Sequence, residues 1–154
     1  MKTIYNALLE QGKPMLDNNT LRWFDWDKGQ LKKKDEAGRY PVAFPCALVR
    51  ISMPSTTDIT DTIQDCKGTI TITLAFDPLS YGNTAANTPE EWRNQGLEPY
   101  DVIAEVYKTY QNFTGGNLFD PMRRRSQSEL THPDLFVYQI VFETSFEDKT
   151  ADTK

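Results

Sequence analysis

Histidine and cysteine are scarce: the 154 residues hold one histidine and two cysteines. With so few, a single chain cannot assemble a His/Cys zinc site or a histidine-dependent triad. No G-x-G-x-x-G, P-loop or G-x-S-x-G occurs, so the signatures of a phosphate cradle and a nucleophile elbow are missing as well. Long hydrophobic runs are also lacking. No stretch approaches the roughly 20 apolar residues of a membrane helix, and the opening MKTIYNALLEQGK has no apolar core of signal-peptide length. Synthesis in a cytoplasm is expected. Nor is there a basic excess: 17 Lys and Arg stand against 22 Asp and Glu, a net charge of −5. That balance argues against general affinity for nucleic acid or anionic membrane.

Large core side chains are present. Eight Phe, seven Tyr and three Trp accompany 38% hydrophobic residues, and a chain this long can bury roughly 70% of its unfolded surface. A single domain over residues 1–148 is expected, with 149–154 a disordered tail. Cys46 reads as a buried free thiol, and nothing indicates a disulfide to Cys66.

The residue pattern predicts the elements. Ile4, Leu8 and Leu9 recur at helical spacing, and Gly12 with Pro14 predicts the end of a short N-terminal helix. LRWFDWDKGQL (21–31) predicts a strand running into a turn, and 32–39 a polar loop. In 68–78, Ile70, Ile72, Leu74 and Phe76 alternate with Thr69, Thr71, Thr73 and Ala75, the cleanest period-2 strand in the chain. The Ser-, Thr- and Asp-rich stretch 52–68 reads as a long mobile connection. Thr88, Pro89 and Glu91 form a helix-start signal with Thr88 as cap. The main helix follows over 99–116, with Val102, Ile103, Val106, Tyr107, Tyr110 and Phe113 as its apolar stripe. Residues 118–130 read as polar and extended. The longest strand spans 134–148 and is apolar on both faces in its first half. These elements imply an α+β domain: an antiparallel or mixed sheet of about four to five strands with helices mainly on one face.

RYPVAFPCALVRI (39–51) is apolar and strand-like, yet it carries Pro41 and Pro45. Amides along a strand alternate sides, so both prolines would remove donors from the same side. The stretch reads as an edge strand blunted against adventitious pairing.

Candidate reactive groups are thin. His132 precedes Pro133 and reads as a turn residue rather than a lone general base. Asp58, Asp61 and Asp65 share one polar stretch but lack the order of an EF-hand, and aspartates in such loops more often make local turns. No metal, cofactor or catalytic residue is expected. Two basic clusters interrupt the acidity: Lys32-Lys33-Lys34, a solvated loop, and Arg123-Arg124-Arg125. On a strand, Arg123 and Arg125 share one face and Arg124 takes the other. Guanidinium groups favour interfacial carboxylates, so these arginines are candidates for pairing with a neighbouring subunit.

The order of elements resembles the small tail-completion or tail-terminator proteins of long-tailed bacteriophages and prophages. A short N-terminal helix precedes the strand Tyr40-Pro41-Val42-Ala43-Phe44-Pro45-Cys46-Ala47-Leu48-Val49-Arg50-Ile51. The Gly-led alternating strand (68–77), the late amphipathic helix (102–113) and the long final strand (136–146) follow. The helix at 88–96 and the long 52–67 segment depart from that layout. The resemblance implies a virion structural protein without catalysis, forming a homo-oligomeric, commonly hexameric ring. Its partners would be the tail tube protein and the head–tail connector. DNA would pass through without specific binding, no membrane would be involved, and assembly would occur in the bacterial cytoplasm. The candidate subunit interface is then Arg123, Arg124, Arg125, Pro41 and Pro45. A monomeric α+β module binding a ligand or peptide is the alternative, and an enzyme using Asp and Tyr at an oligomer interface is a third reading.

Overall fold

The period-2 stretch led by Ile70 becomes the middle of the protein. The computed structural model describes residues 1–153. Its elements are α1 (Lys2–Asp17), β1 (Trp23–Trp26), β2 (Cys46–Asp58), β3 (Gln64–Phe76), α2 (Glu90–Gly96), α3 (Glu98–Tyr110), β4 (Arg123–Leu130) and β5 (Phe136–Asp148). They make one five-stranded sheet in the order β1-β2-β3-β5-β4. β1 runs parallel to β2, and every other neighbour is antiparallel. The fold is α+β with a mixed sheet, as the pattern predicts.

Alternation decides which face each side chain meets. Ile70, Ile72, Leu74 and Phe76 of β3 join Ala47 and Val49 of β2 and Ile140 and Phe142 of β5 on one face. Ile4, Leu8 and Met15 of α1 and Ile103, Val106 and Tyr110 of α3 cover them. Each fully buried Leu, Ile or Phe contributes roughly 1.5–3 kcal/mol. No helix covers the opposite face. Its smaller cluster of Cys46, Leu48, Ala75, Leu135 and Val137 is capped by Leu31, Tyr40, Val42 and Phe44 from the β1–β2 connection.

That cap corrects the reading of 39–51. Strand β2 starts only at Cys46, and it lies between β1 and β3 instead of at an edge. Pro41 and Pro45 precede the ladder, where a missing amide costs nothing, and Pro45 O accepts from Arg22 N at 2.8 Å. Val42 and Phe44 are apolar because they roof the second face.

Three further boundaries move. Helix α1 continues through Gly12 and Pro14 to Asp17, because Met15 beyond them is buried. Helix α2 is capped by Pro89, with no side-chain cap bond from Thr88. Helix α3 stops at Tyr110, so Phe113 packs on the core from the turn beyond it.

Gly12 serves a close approach instead of a helix end. A β-carbon there would stand 2.6 Å from Tyr110 Oη and 3.3 Å from Phe24 Cε2. In an open helix, Gly→Ala gains about 1 kcal/mol. Because Tyr110 is fully buried and cannot swing away, Gly12→Ala is expected to reverse that sign and destabilise by about 1–2 kcal/mol, the ordinary cost of overpacking. Urea midpoints of the two proteins test it.

Candidate functional site

Strand β2 and strand β3 do not stop at the core. Residues 52–58 and 64–67 form a hairpin arm where 52–68 reads in the sequence as a mobile connection. Every residue from Ser52 to Asp61 is exposed, including Met53 and Ile59, although Cys66 in the returning strand is buried. A bulge between Ser52 and Ser55 contains Pro54. The edge proline of this protein is therefore Pro54, in the arm. At the tip, Thr60 Oγ1 accepts from Thr62 N and Ile63 N, and Asp58 Oδ1 accepts from Gln64 Nε2 at 2.9 Å.

The arm has one unpaired side. Strand β1 accompanies β2 only from Cys46 to Val49, with Asp27 N adding one bond to Val49 O. From Ile51 to Asp58 the main chain on that side has no neighbouring strand among the described residues. Asp58 and Asp61 lie there with no Lys or Arg between Arg50 and Lys67. They form no metal-competent group of three among the described residues.

The other open edge is β4, exposed along its whole length. A bulge at Arg125 breaks its ladder with β5: Arg123 is opposite Glu143, Arg124 opposite Phe142, and Ser126 already opposite Val141. Arg124 lies over the Tyr107 ring, 3.8 Å from its centroid, on the helix side. Arg123 and Arg125 line the other side with Glu143. The sequence placed them so. Arg125 Nε donates to Glu143 Oε2 at 2.8 Å, so one of the three is already paired within the chain. Arg123 has no ion pair among the described residues. Gln111 Oε1 accepts from Arg124 N, and residues 112–113 bond to Met122, which leaves Arg125–Leu130 as the open stretch.

His132 is an anchor. Its Nδ1 accepts from Asp134 N and Leu135 N, each at 3.1 Å, so Nε2 carries the proton and donates to Leu31 O at 2.8 Å. With both nitrogens occupied, the ring pins the β1–β2 connection to the sheet. Beside it, Tyr40 Oη donates to Asp134 Oδ2 at 2.7 Å, and Lys34 Nζ lies 3.3 Å from the same oxygen. The Tyr40 bond, followed by that of Lys34, holds the Asp134 carboxyl below its usual value. A lowered carboxylate pKa makes a contribution that is complete above the unfolded value near 4 and fades as pH falls through the folded one. Protection of the 31–44 amides from hydrogen exchange is therefore expected to be full above about pH 4 in the parent and to fall as pH drops below it. Tyr40→Phe lowers protection above that pH, and the two proteins converge as the carboxylate protonates.

The roofed face also contains a basin of about 450 Å³ whose lining includes Asp27, Arg50, Tyr40, Thr73, His132 and Gln139. Arg50 and Asp27 pair across its rim at 3.5 Å, and Gln139 Nε2 donates to Thr73 Oγ1 on its floor. Burial pushes the Cys46 thiol up to about 12 and keeps it unreactive. Both cysteines are free, and since Cys46 pairs with Ala75, nine residues along β3 from Cys66, the two cannot meet.

No helix of the described residues is long and apolar enough to cross a membrane. Set against known proteins, the chain matches no protein-family model and no curated protein.

Proposed function

We propose that this protein is a ring-forming structural component of a tailed-phage or prophage virion. It would act as a tail terminator or tail-completion protein that caps the tail tube and joins it to the head–tail connector. The observation that carries the reading is the pair of open strand edges on opposite sides of one sheet: β4 on one, the arm of β2 on the other. Strand β5 backs the returning half of the arm as far as Gln64, so Ile51–Asp58 of β2 is an open edge of the sheet, and exposed edges are a liability unless something covers them. Head-to-tail contacts between different surfaces close into rings when the rotation permits. The net charge of −5 suits a channel that passes DNA without holding it.

Sedimentation velocity and negative-stain microscopy of the purified chain, alone and with tail tube protein, test the reading. Closed rings are expected in at least one condition. A monomer in both overturns it. The basin on the roofed face supports the second reading, a monomeric ligand-binding module, and such a monomer with a saturable small-molecule site would establish it.

A further inference from the structure

We propose that the arm of one copy pairs, strand to strand, with β4 of the next copy, so that the two sheets become continuous. This rests on the ring reading and names its contact surfaces. Strand directions within the sheet permit it. β2 and β5 run parallel, since each is antiparallel to β3, and β4 is antiparallel to β5. When one copy is rotated onto the next without inversion, β4 therefore meets β2 in antiparallel sense.

Charge complementarity follows from that direction. An antiparallel approach sets the basic start of β4, Arg123 to Arg125, toward the acidic end of the arm, with Asp58 on the helix side that Arg124 shares and Asp61 at the tip. The end of the incoming strand reaches Trp26, which is 60% exposed where β1 stops.

The geometry also closes. Through the ladders Leu130 lies level with Val137, Ala75 and Cys46, and Ser126 with Val141, Thr71 and Arg50. Since β1 occupies β2 up to Val49, the incoming strand must shift by six residues, the even step that keeps the faces aligned and brings Leu130 level with Ser52. That is about 20 Å along the strands, against a five-strand width of about 24 Å. The required tilt is roughly 40°, within the range of strand tilts in closed sheets.

A charge exchange tests the contact. One variant carries Asp58→Lys and Asp61→Lys; the other carries Arg123→Glu and Arg125→Glu. Each alone juxtaposes like charges at every contact and is expected to sediment as monomer at concentrations where the parent forms rings. Mixed one to one, each arm meets an oppositely charged β4, and rings are expected to return, with a salt sensitivity like the parent's. If the parent forms rings and both single preparations do so equally, or if the mixture stays monomeric, the edge pairing is overturned while the ring reading stands. If the arm variant alone still dimerises, the contact is β4 with β4, which also overturns it. A parent that is monomeric with and without tube protein overturns both.

Discussion

Truncating Tyr110 to alanine is expected to be the most destabilising single change in the molecule, at about 3–5 kcal/mol. Tyr110 is fully buried at the end of α3 and touches three elements. Its hydroxyl donates to Leu8 O of α1 at 2.7 Å, and its ring meets Phe142 of β5 and Phe113 of the following turn edge-on, at 6.4 and 6.2 Å. Removing the ring empties the point where both long helices meet the sheet, and Gly12 and Phe24 cannot collapse into the space without shifting α1. Domains of this kind have total stabilities of about 5–15 kcal/mol, so a large part of the margin disappears. The melting temperature should fall by roughly 10 °C or more. Tyr110→Phe isolates the hydroxyl and should cost only about 1 kcal/mol, since Leu8 O sits within a helix. Similar losses in both variants would mean that the hydrogen bond, rather than packing, joins α1 to α3.

Where the fold was legible in the sequence, burial and periodicity agreed. β3 and β5 alternate because one face is core, and α3 shows its stripe because Ile103, Val106 and Tyr110 all point into that core. Reading failed where they parted. Residues 52–58 form a strand with both faces in water, so no apolar alternation marks them. Their only signal is the density of β-branched residues, Thr56, Thr57, Ile59, Thr60, Thr62 and Ile63, about a turn. Val42 and Phe44 failed in the opposite way: they are apolar and alternate, yet roof a sheet instead of joining it. Gly12 and Pro14 looked like a helix end because local propensity cannot register that Met15 is buried. At the candidate site, the arginine triplet stood out as a reversal of charge in an acidic chain. The bulge that groups Arg125 with Glu143 belongs to the ladder and has no marker in the triplet itself.

Shortening the arm separates its role in folding from its role between copies. Replacing Asp58–Gln64 with Asn-Gly leaves Thr57 opposite Asp65 as the closing pair of a two-residue hairpin, the length and residue type that type I′ turns favour. The change removes Asp58, Asp61 and exposed Ile59 while leaving the core clusters intact. A shorter loop lowers the closure entropy, a gain of about 0.6 kcal/mol per halving of length, which offsets the lost Asp58–Gln64 contacts and the terminal pairing of Gln64 with Asp148 of β5. Thermal and urea unfolding should therefore match the parent to within about 1 kcal/mol, with nearly the same urea dependence because little buried surface is lost. Assembly should respond very differently. With its acidic end gone, the arm should hold a neighbouring β4 at least tenfold more weakly, equivalent to about 1.4 kcal/mol per contact. Rings should dissociate at protein and salt concentrations where the parent remains intact. Unchanged rings would show that the arm is not the joint between copies. A large loss of monomer stability would show instead that the tip is needed to hold β2 and β3 in register, and that its exposure had been mistaken for independence from the fold.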